Sequence, residues 1–282
     1  MIENTAETQI HRKTLAIFNV LSSKLTNRKL RGRLQKLLAT TKTKRQAKLF
    51  HNKVSVEEFR ANGTMLLTNV SPVLCRGVIK SAKTSKILAQ DFENFTSVNN
   101  LSELPASVNS ALIFPDLDNG EVLQLLKIMV DGSVPIAAAY LGGDVIIDDV
   151  KIMYSKPGEG VGPQFFHRDW DTLGFVKVFC YLNDVGSDNG MHQYVKGSIN
   201  SSKLNRHGRF SDQEVHGAFA TDDVLSIPGK AGTIFIEDTN GLHRGLPLLS
   251  GERWVVSIRL SLFGSMFREK DRARRNSLNG LL

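Results

Sequence analysis

The apolar positions change period partway along the chain. Over the first 55 or so residues they recur at three and four: Leu15, Phe18, Leu21 and Leu25, then Leu30, Leu34, Leu37 and Leu38 after a break at Thr26-Asn27. That spacing predicts helix. Lys24, Arg28, Arg31, Arg33 and Lys36 fill the remaining faces. Residues 56–60 also read as helix and residues 63–70 as a short apolar strand. Ser71-Pro72 has the form of an N-cap with proline at the first helical position, opening a helix that runs to Ile79. Residues 81–109 are polar and rich in Ser and Asn, which predicts a loop. Residues 119–130, with Val122, Leu125, Leu126 and Met129 inward, form an amphipathic helix.

From Pro135 onward the pattern is that of strands. Residues 144–154 alternate and are β-branched, then break at Lys156-Pro157-Gly158. Further strands are expected at 176–182, 192–195, 232–236 and 254–262, separated by Gly, Asn and Asp turns. Residues 158–162 carry three glycines, but no Gly-Lys-Ser/Thr follows and a strand comes next, so they read as a turn and not a phosphate loop. Many short strands after a helical half, without βαβ alternation, predict a mainly β fold: a double-sheet jelly roll with flanking helices and an N-terminal helical arm.

Charge divides the chain the same way. Residues 12–53 hold 13 Lys/Arg and no acid, and residues 268–275 hold five basic residues against two acids. Residues 54–267 keep 18 basic and 24 acidic side chains, a net charge of −6. The basicity therefore lies in a 1–53 arm and a 268–282 tail, around a 54–267 body. Such an arm either docks with its charged face in water or meets a polyanion. With Phe18 and Phe50 its only aromatics, base stacking has little to work with, so an anionic membrane surface through residues 12–53 ranks above nucleic acid. Cys75 and Cys180 are far apart with no CxxC spacing, which argues against a disulfide framework or a thiolate zinc site. The first ten residues lack a secretory layout, and no uncharged apolar run approaches the roughly 20 residues that span a bilayer. The expectation is a cytoplasmic protein, peripheral to a membrane at most.

The chemistry gathers at Phe165-Phe166-His167-Arg168-Asp169-Trp170. On extended backbone His167 and Asp169 point the same way, one neutral nitrogen and one anionic oxygen about a metal's reach apart. His243, in residues 238–245, supplies a third ligand. Two His and one carboxylate on one face, with open positions opposite, suit Fe(II). Asp171, four residues from His167, has the wrong spacing for the same strand. His192 sits on a predicted strand and is placed to face the pocket; His11, His51, His207 and His216 read as surface or turn residues.

Several stretches in fixed order then resemble the phytanoyl-CoA dioxygenase family: the HRD tripeptide, YLNDVGSDNGMHQYVKGS, GKAGTIFIEDTNGLHRGLP and GERWVVSIRLS. The likeness spans roughly residues 54–265. It implies a double-stranded β-helix and an Fe(II)- and 2-oxoglutarate-dependent oxygenase that consumes O₂. His167, Asp169 and His243 would be the iron ligands, and Arg253 would grip the distal carboxylate of 2-oxoglutarate. A planar guanidinium suits that task better than an ammonium. Arg253 is expected on a strand beside the one preceding His243; Arg244 and Arg259 compete for the role. Relatives also place cosubstrate contacts at the positions of Tyr154 and Gln164. Lys196-Gly197-Ser198-Ile199 departs from the Pro-Gly-Ser-His turn of the family, outside the metal set. Asp169 favours oxygen transfer over halogenation, since halogenases of this superfamily have a small residue there.

The resemblance thus implies a hydroxylase. The polar segment 200–223, lying between two core strands, is a candidate lid over the substrate, with Arg206, His207 and Arg209 placed to meet an anionic group. The substrate would be a small or lipid-linked molecule. Two other readings stand beside it: a non-catalytic jelly roll that binds a polyanion or membrane through its arm, and a metal-dependent jelly-roll enzyme that does not use 2-oxoglutarate.

Overall fold

A computed structural model of the chain describes residues 25–49, 53–85, 87–91, 94–105, 107–160, 162–263 and 278–282. The helix expected around Leu15, Phe18 and Leu21, and the tail up to residue 277, lie outside them. The described residues form five α-helices: α1 (Arg28–Ala39), α2 (Lys53–Asn62), α3 (Pro72–Ala82), α4 (Gly120–Leu141) and α5 (Asp212–Ala218). The first strands are β1 (Thr64–Asn69), β2 (Ile87–Asp91), β3 (Asn94–Val98), β4 (Ser110–Ile113) and β5 (Ile146–Ser155). Then come β6 (Phe166–His167), β7 (Phe175–Tyr181), β8 (His192–Val195) and β9 (Arg209–Phe210). The last are β10 (Val224–Ile227), β11 (Thr233–Glu237), β12 (His243–Gly245) and β13 (Arg253–Ser261).

They assemble into two antiparallel sheets facing each other. The larger has the order β1-β11-β7-β13-β5-β4-β2-β3 and the smaller β10-β8-β12-β6-β9. This is the expected jelly roll. Period-2 alternation sorts the long strands of the larger sheet. Val176, Val178 and Cys180 of β7, with Trp254, Val256 and Ile258 of β13, point outward into a core shared with α4. Lys177, Phe179 and Tyr181, with Arg253, Val255 and Ser257, point inward to the space between the sheets. One face of each strand builds the core and the other builds a cavity.

Three expectations change. Helix α4 does not stop near Val130 but runs to Leu141, through Pro135. A proline costs a helix one backbone hydrogen bond and about 3 kcal/mol. Burial of Val134, Ile136, Ala137, Ala138 and Leu141 after the break offsets this, at roughly 1.5–3 kcal/mol per large apolar side chain. This helix is long and apolar enough to cross a membrane, yet 56% of its most apolar window is buried inside the protein, as in the core helix of a globular domain. The polar stretch 81–109 is not all loop, because β2 and β3 extend the sheet beyond β4. Such a terminal extension is held by main-chain bonds and tolerates polar side chains, so it lacks the apolar period of a core strand. Finally, β13 does not lie beside β11. It pairs with β5 and β7, and β7 separates the two.

Caps follow the sequence. Ser71 accepts from the Val73 amide with Pro72 in the first turn, and Asn119 accepts from Glu121 and Val122. The described part of the arm is docked: Gln46 exchanges hydrogen bonds with Val145 and its backbone amide donates to Asp144. At the other end Leu278 is buried, and Asn279 accepts from the Ile147 amide at 3.0 Å.

Trp254 is fully buried at the centre of the outer core, its ring 4.8 Å from that of Tyr154. Trp254→Ala is expected to lower unfolding free energy by about 3–5 kcal/mol, read from urea denaturation.

Candidate metal centre

The site begins with a strand register. His167 of β6 and His243 of β12 are direct partners across the smaller sheet, and their ring centroids lie 4.2 Å apart. His167 Nδ1 lies 2.9 Å from the Phe165 carbonyl, and His243 Nδ1 lies 3.0 Å from that of Gly241. A carbonyl can only accept, so each Nδ1 carries its proton and each Nε2 turns inward. Both Nε2 atoms stand 3.5 Å from an oxygen of Asp169. The three ligand atoms lie within 4.8 Å of one another.

Asp169 is not on the strand that carries His167, since β6 ends at that residue. Its amide donates to Thr239 and its carbonyl accepts from Asn240 Nδ2 at 2.8 Å, which fixes the turn carrying the carboxylate. The expected convergence therefore arises from a strand and a tied turn, not from strand geometry alone.

Electrostatics match a cation site. Burial, then the neighbouring His243, pushes His167 down to about 3, which leaves it neutral with a lone pair available. Burial alone would raise Asp169, but Lys177 and the two imidazoles hold its carboxyl well below the usual range. Burial would likewise lower His243, and Asp169 outweighs it, so its value is raised. Two imidazole nitrogens and a carboxylate oxygen converging out of water call for a shared positive charge. A divalent ion of the Fe(II) type fits this donor set.

Two cationic side chains flank the cluster and differ in their partners. Lys177 Nζ lies 2.6 Å from Asp169 and 3.0 Å from Asp171. Asp171 meets Arg259 at 2.8 Å, and Arg259 meets Asp148, also at 2.8 Å. Asp171 and Arg259 are thus engaged in an ion-pair chain, and neither belongs to the His–Asp–His cluster. Arg253 is different. It lines the cavity, donates to the Gly190 carbonyl and to Ser155 Oγ at 3.3 Å, and has no carboxylate partner among the described residues. Burial lowers the pKa of its guanidinium. A Cβ at Gly245 would stand 2.5 Å from Arg253 Nη1, so that glycine leaves room for the guanidinium. A cavity-lining guanidinium with no carboxylate partner among the described residues fits the distal carboxylate of 2-oxoglutarate.

The cavity between the sheets has a volume of about 270 Å³. His167, Asp169, His243, Arg253 and Gln164 line it. Tyr154 does not. It shares the outer face of β5 with Ile152, and its ring packs on Trp254, because 151, 153 and 155 are the inward positions. Ser155, one residue on, is the polar group that meets Arg253. Arg244, the competing candidate, points away from the cavity, paired with Asp212 and lying over the Phe166 ring. In the expected lid, Arg206 is paired with Glu214 at 2.7 Å and the His207 ring lies tilted against Trp170, with ring centroids 5.0 Å apart.

Some residues escaped the motif reading. Arg168, between the two ligands, is buried and donates to the carbonyls of Asn240, Leu204, Lys203 and Ser198 at 2.7–3.2 Å. His192 does face the cavity; its Nε2 lies 2.8 Å from fully buried Glu237, and its ring stacks 5.7 Å from that of His243. The visible signals were a lysine and a glutamate within otherwise apolar strands, Phe175–Tyr181 and Thr233–Glu237.

No family model matches the chain, and no curated protein does. Solved structures do. The non-haem α-ketoglutarate-dependent carbocyclase SnoK from nogalamycin biosynthesis superposes with a TM-score of 0.56 at 14% identity, over 81% of this chain and 92% of that one. The epimerase SnoN of the same biosynthesis reaches 0.53 at 13% identity, over 78% and 89%. EctD from S. alaskensis with 2-oxoglutarate and 5-hydroxyectoine reaches 0.52 at 15% identity, over 75% and 76%. These likenesses establish the fold, that of non-haem iron, 2-oxoglutarate-dependent enzymes.

Two outcomes follow. A divalent metal at a hundredfold excess over its Kd should stabilise the protein by about 2.7 kcal/mol, seen as a melting temperature several degrees higher, and His243→Ala should abolish the rise. Arg168→Ala should cost roughly 3 kcal/mol or more in denaturant unfolding, since four carbonyls lose a charged donor together.

Proposed function

We propose that this chain is an Fe(II)- and 2-oxoglutarate-dependent oxygenase of the phytanoyl-CoA dioxygenase type that hydroxylates a C–H bond. The observation that carries the reading is one cavity with a His–Asp–His cluster and, apart from it, a half-buried arginine with no acidic partner among the described residues. The order of motifs from His167 to Arg253 supports the family.

In this reading His167 Nε2, His243 Nε2 and an Asp169 oxygen hold the metal. With Fe(II) and 2-oxoglutarate bound, the pair supplies O₂ activation: one oxygen atom goes to succinate as CO₂ is lost, the other to the substrate C–H. The chain's own work is placement. Arg253 and Ser155 bind the distal carboxylate, with Gln164 on the same cavity wall. The Nδ1 hydrogen bonds to Phe165 and Gly241 hold both rings in the ligating tautomer. Phe179, Phe235, Val255 and Met153 line the cavity with apolar surface and keep water from the reacting centre. An aspartate at 169 supports oxygen transfer, because a halide would need that position open.

Lys151, Lys177 and Arg259 are each matched by a carboxylate at 2.6–2.8 Å. The cavity therefore offers its cationic capacity at Arg253, and an uncharged part of the substrate faces the metal. The chain's excess basicity lies outside this cavity.

The wild type should turn 2-oxoglutarate into succinate when given Fe(II), O₂ and substrate, with residual uncoupled turnover in its absence. His167→Ala and Asp169→Ala should both be inactive. Arg253→Leu should raise the KM for 2-oxoglutarate by a factor of about 10²–10⁴, as expected for losing a charge-paired anchor worth ~3–5 kcal/mol. If Arg253→Leu kept full activity and 2-oxoglutarate left the absorption spectrum of the metal-loaded protein unchanged, a metal enzyme that does not use 2-oxoglutarate would be the better description.

A further inference from the structure

Helix α1 is docked with its apolar stripe turned partly away from the protein. Successive residues advance 100° around a helix. The arc facing the body is made by Arg31, Gln35 and Ala39, with Arg31 5% and Ala39 6% exposed. Arg31 sets this rotation: its guanidinium donates to the Thr172 carbonyl and lies 5.5 Å over the Trp170 ring. The leucines fall on a neighbouring arc. Leu34 and Leu38 are half-buried at its inner edge, whereas Leu30 is 46% and Leu37 64% exposed. Beside those two, continuing around the outer surface, stand Arg33, Lys29 and Lys36, all exposed. A helix placed only for docking would turn its leucines inward and its arginines out. This one buries an arginine and presents two leucines bordered by three cations.

We propose that the outer face of α1 is a docking surface for an anionic lipid bilayer. Leu30 and Leu37, two turns apart on one line, would enter the boundary between headgroups and acyl chains. Lys29, Arg33 and Lys36 would meet lipid phosphates, as on helices that lie in the interfacial plane. Residues 12–53 contain no acid to oppose this. The chemistry favours lipid over nucleic acid, because the exposed arc has no aromatic side chain to stack on a base and a polynucleotide gives its leucines nothing. The exposed Lys44, Arg45 and Lys48 on the segment after α1 extend the basic surface toward α2. None of this depends on the chemistry assigned to the metal centre.

The test is co-sedimentation of the full-length protein with vesicles of phosphatidylcholine alone and with about one-third phosphatidylglycerol added. The wild type should bind the anionic vesicles and leave the neutral ones. Lys29→Glu/Arg33→Glu/Lys36→Glu should lower partitioning by about a hundredfold or more, near fivefold for each charge removed. Leu30→Ser/Leu37→Ser, which leaves the charge unchanged, should lower it by at least about tenfold with little change in melting temperature, since both side chains are exposed. Absence of binding by the wild type would overturn the proposal. So would a leucine variant that binds as tightly as wild type, which would mark a purely electrostatic polyanion surface, or two variants that both bind normally, which would place the contact elsewhere or leave this face covered by the preceding segment.

Discussion

The pairing of His167 with His243 across β6 and β12 is the constraint on which the rest depends. It sets two imidazoles side by side on one wall of the cavity, and each is then oriented by a carbonyl two residues before it in the chain. A slip of one residue in this register would turn one ring to the opposite face. The strands of the smaller sheet are short, two to four residues each. Their register is secured by neighbours: Tyr194 opposite His243, Phe210 opposite Phe166, and a buried cluster of Phe166, Val195, Phe210, Val215 and Leu242.

The larger sheet has the complementary task. Its outward positions supply the core with α4, and this frees its inward positions for polar groups that a core strand could not carry. Lys177 sits between Val176 and Val178, and Arg253 precedes Trp254, each polar residue next to a fully or nearly buried apolar one. Stability and chemistry are thus divided between alternate residues of the same strands. The ion-pair chain from Asp169 through Lys177, Asp171 and Arg259 to Asp148 keeps the inward charges matched. It also fixes the carboxylate that belongs to the metal cluster.

Much of this was legible in the sequence. The strand periods at 144–154, 176–182 and 254–262 correspond to β5, β7 and β13, and the Ser71-Pro72 cap was found as read. The HRD motif, His243 and Arg253 meet around one cavity. Other features depend on contacts that sequence spacing does not carry. Tyr154 was misplaced because a motif position identifies a residue without its strand parity, and the inward parity of β5 belongs to 151, 153 and 155. Pro135 hid the second half of α4 because local propensity argues for a stop and tertiary burial overrides it. Strands β2 and β3 lacked an apolar period because main-chain bonding holds them. Arg168 carried no signal in the sequence, since its four carbonyl partners come from segments 30 or more residues away.

That arginine ties together parts that would otherwise move apart. Its partners Ser198, Lys203 and Leu204 begin the segment that precedes β9 and α5, and its partner Asn240 also grips the backbone of Asp169. Peeling the segment back would withdraw acceptors from a buried guanidinium and loosen the turn that presents the carboxylate. Opening of this side of the molecule and release of an ion from the cluster thereby belong to one cooperative unit of local unfolding. The free energy of that single event would govern both how readily the segment yields to a protease and how long the centre retains its metal.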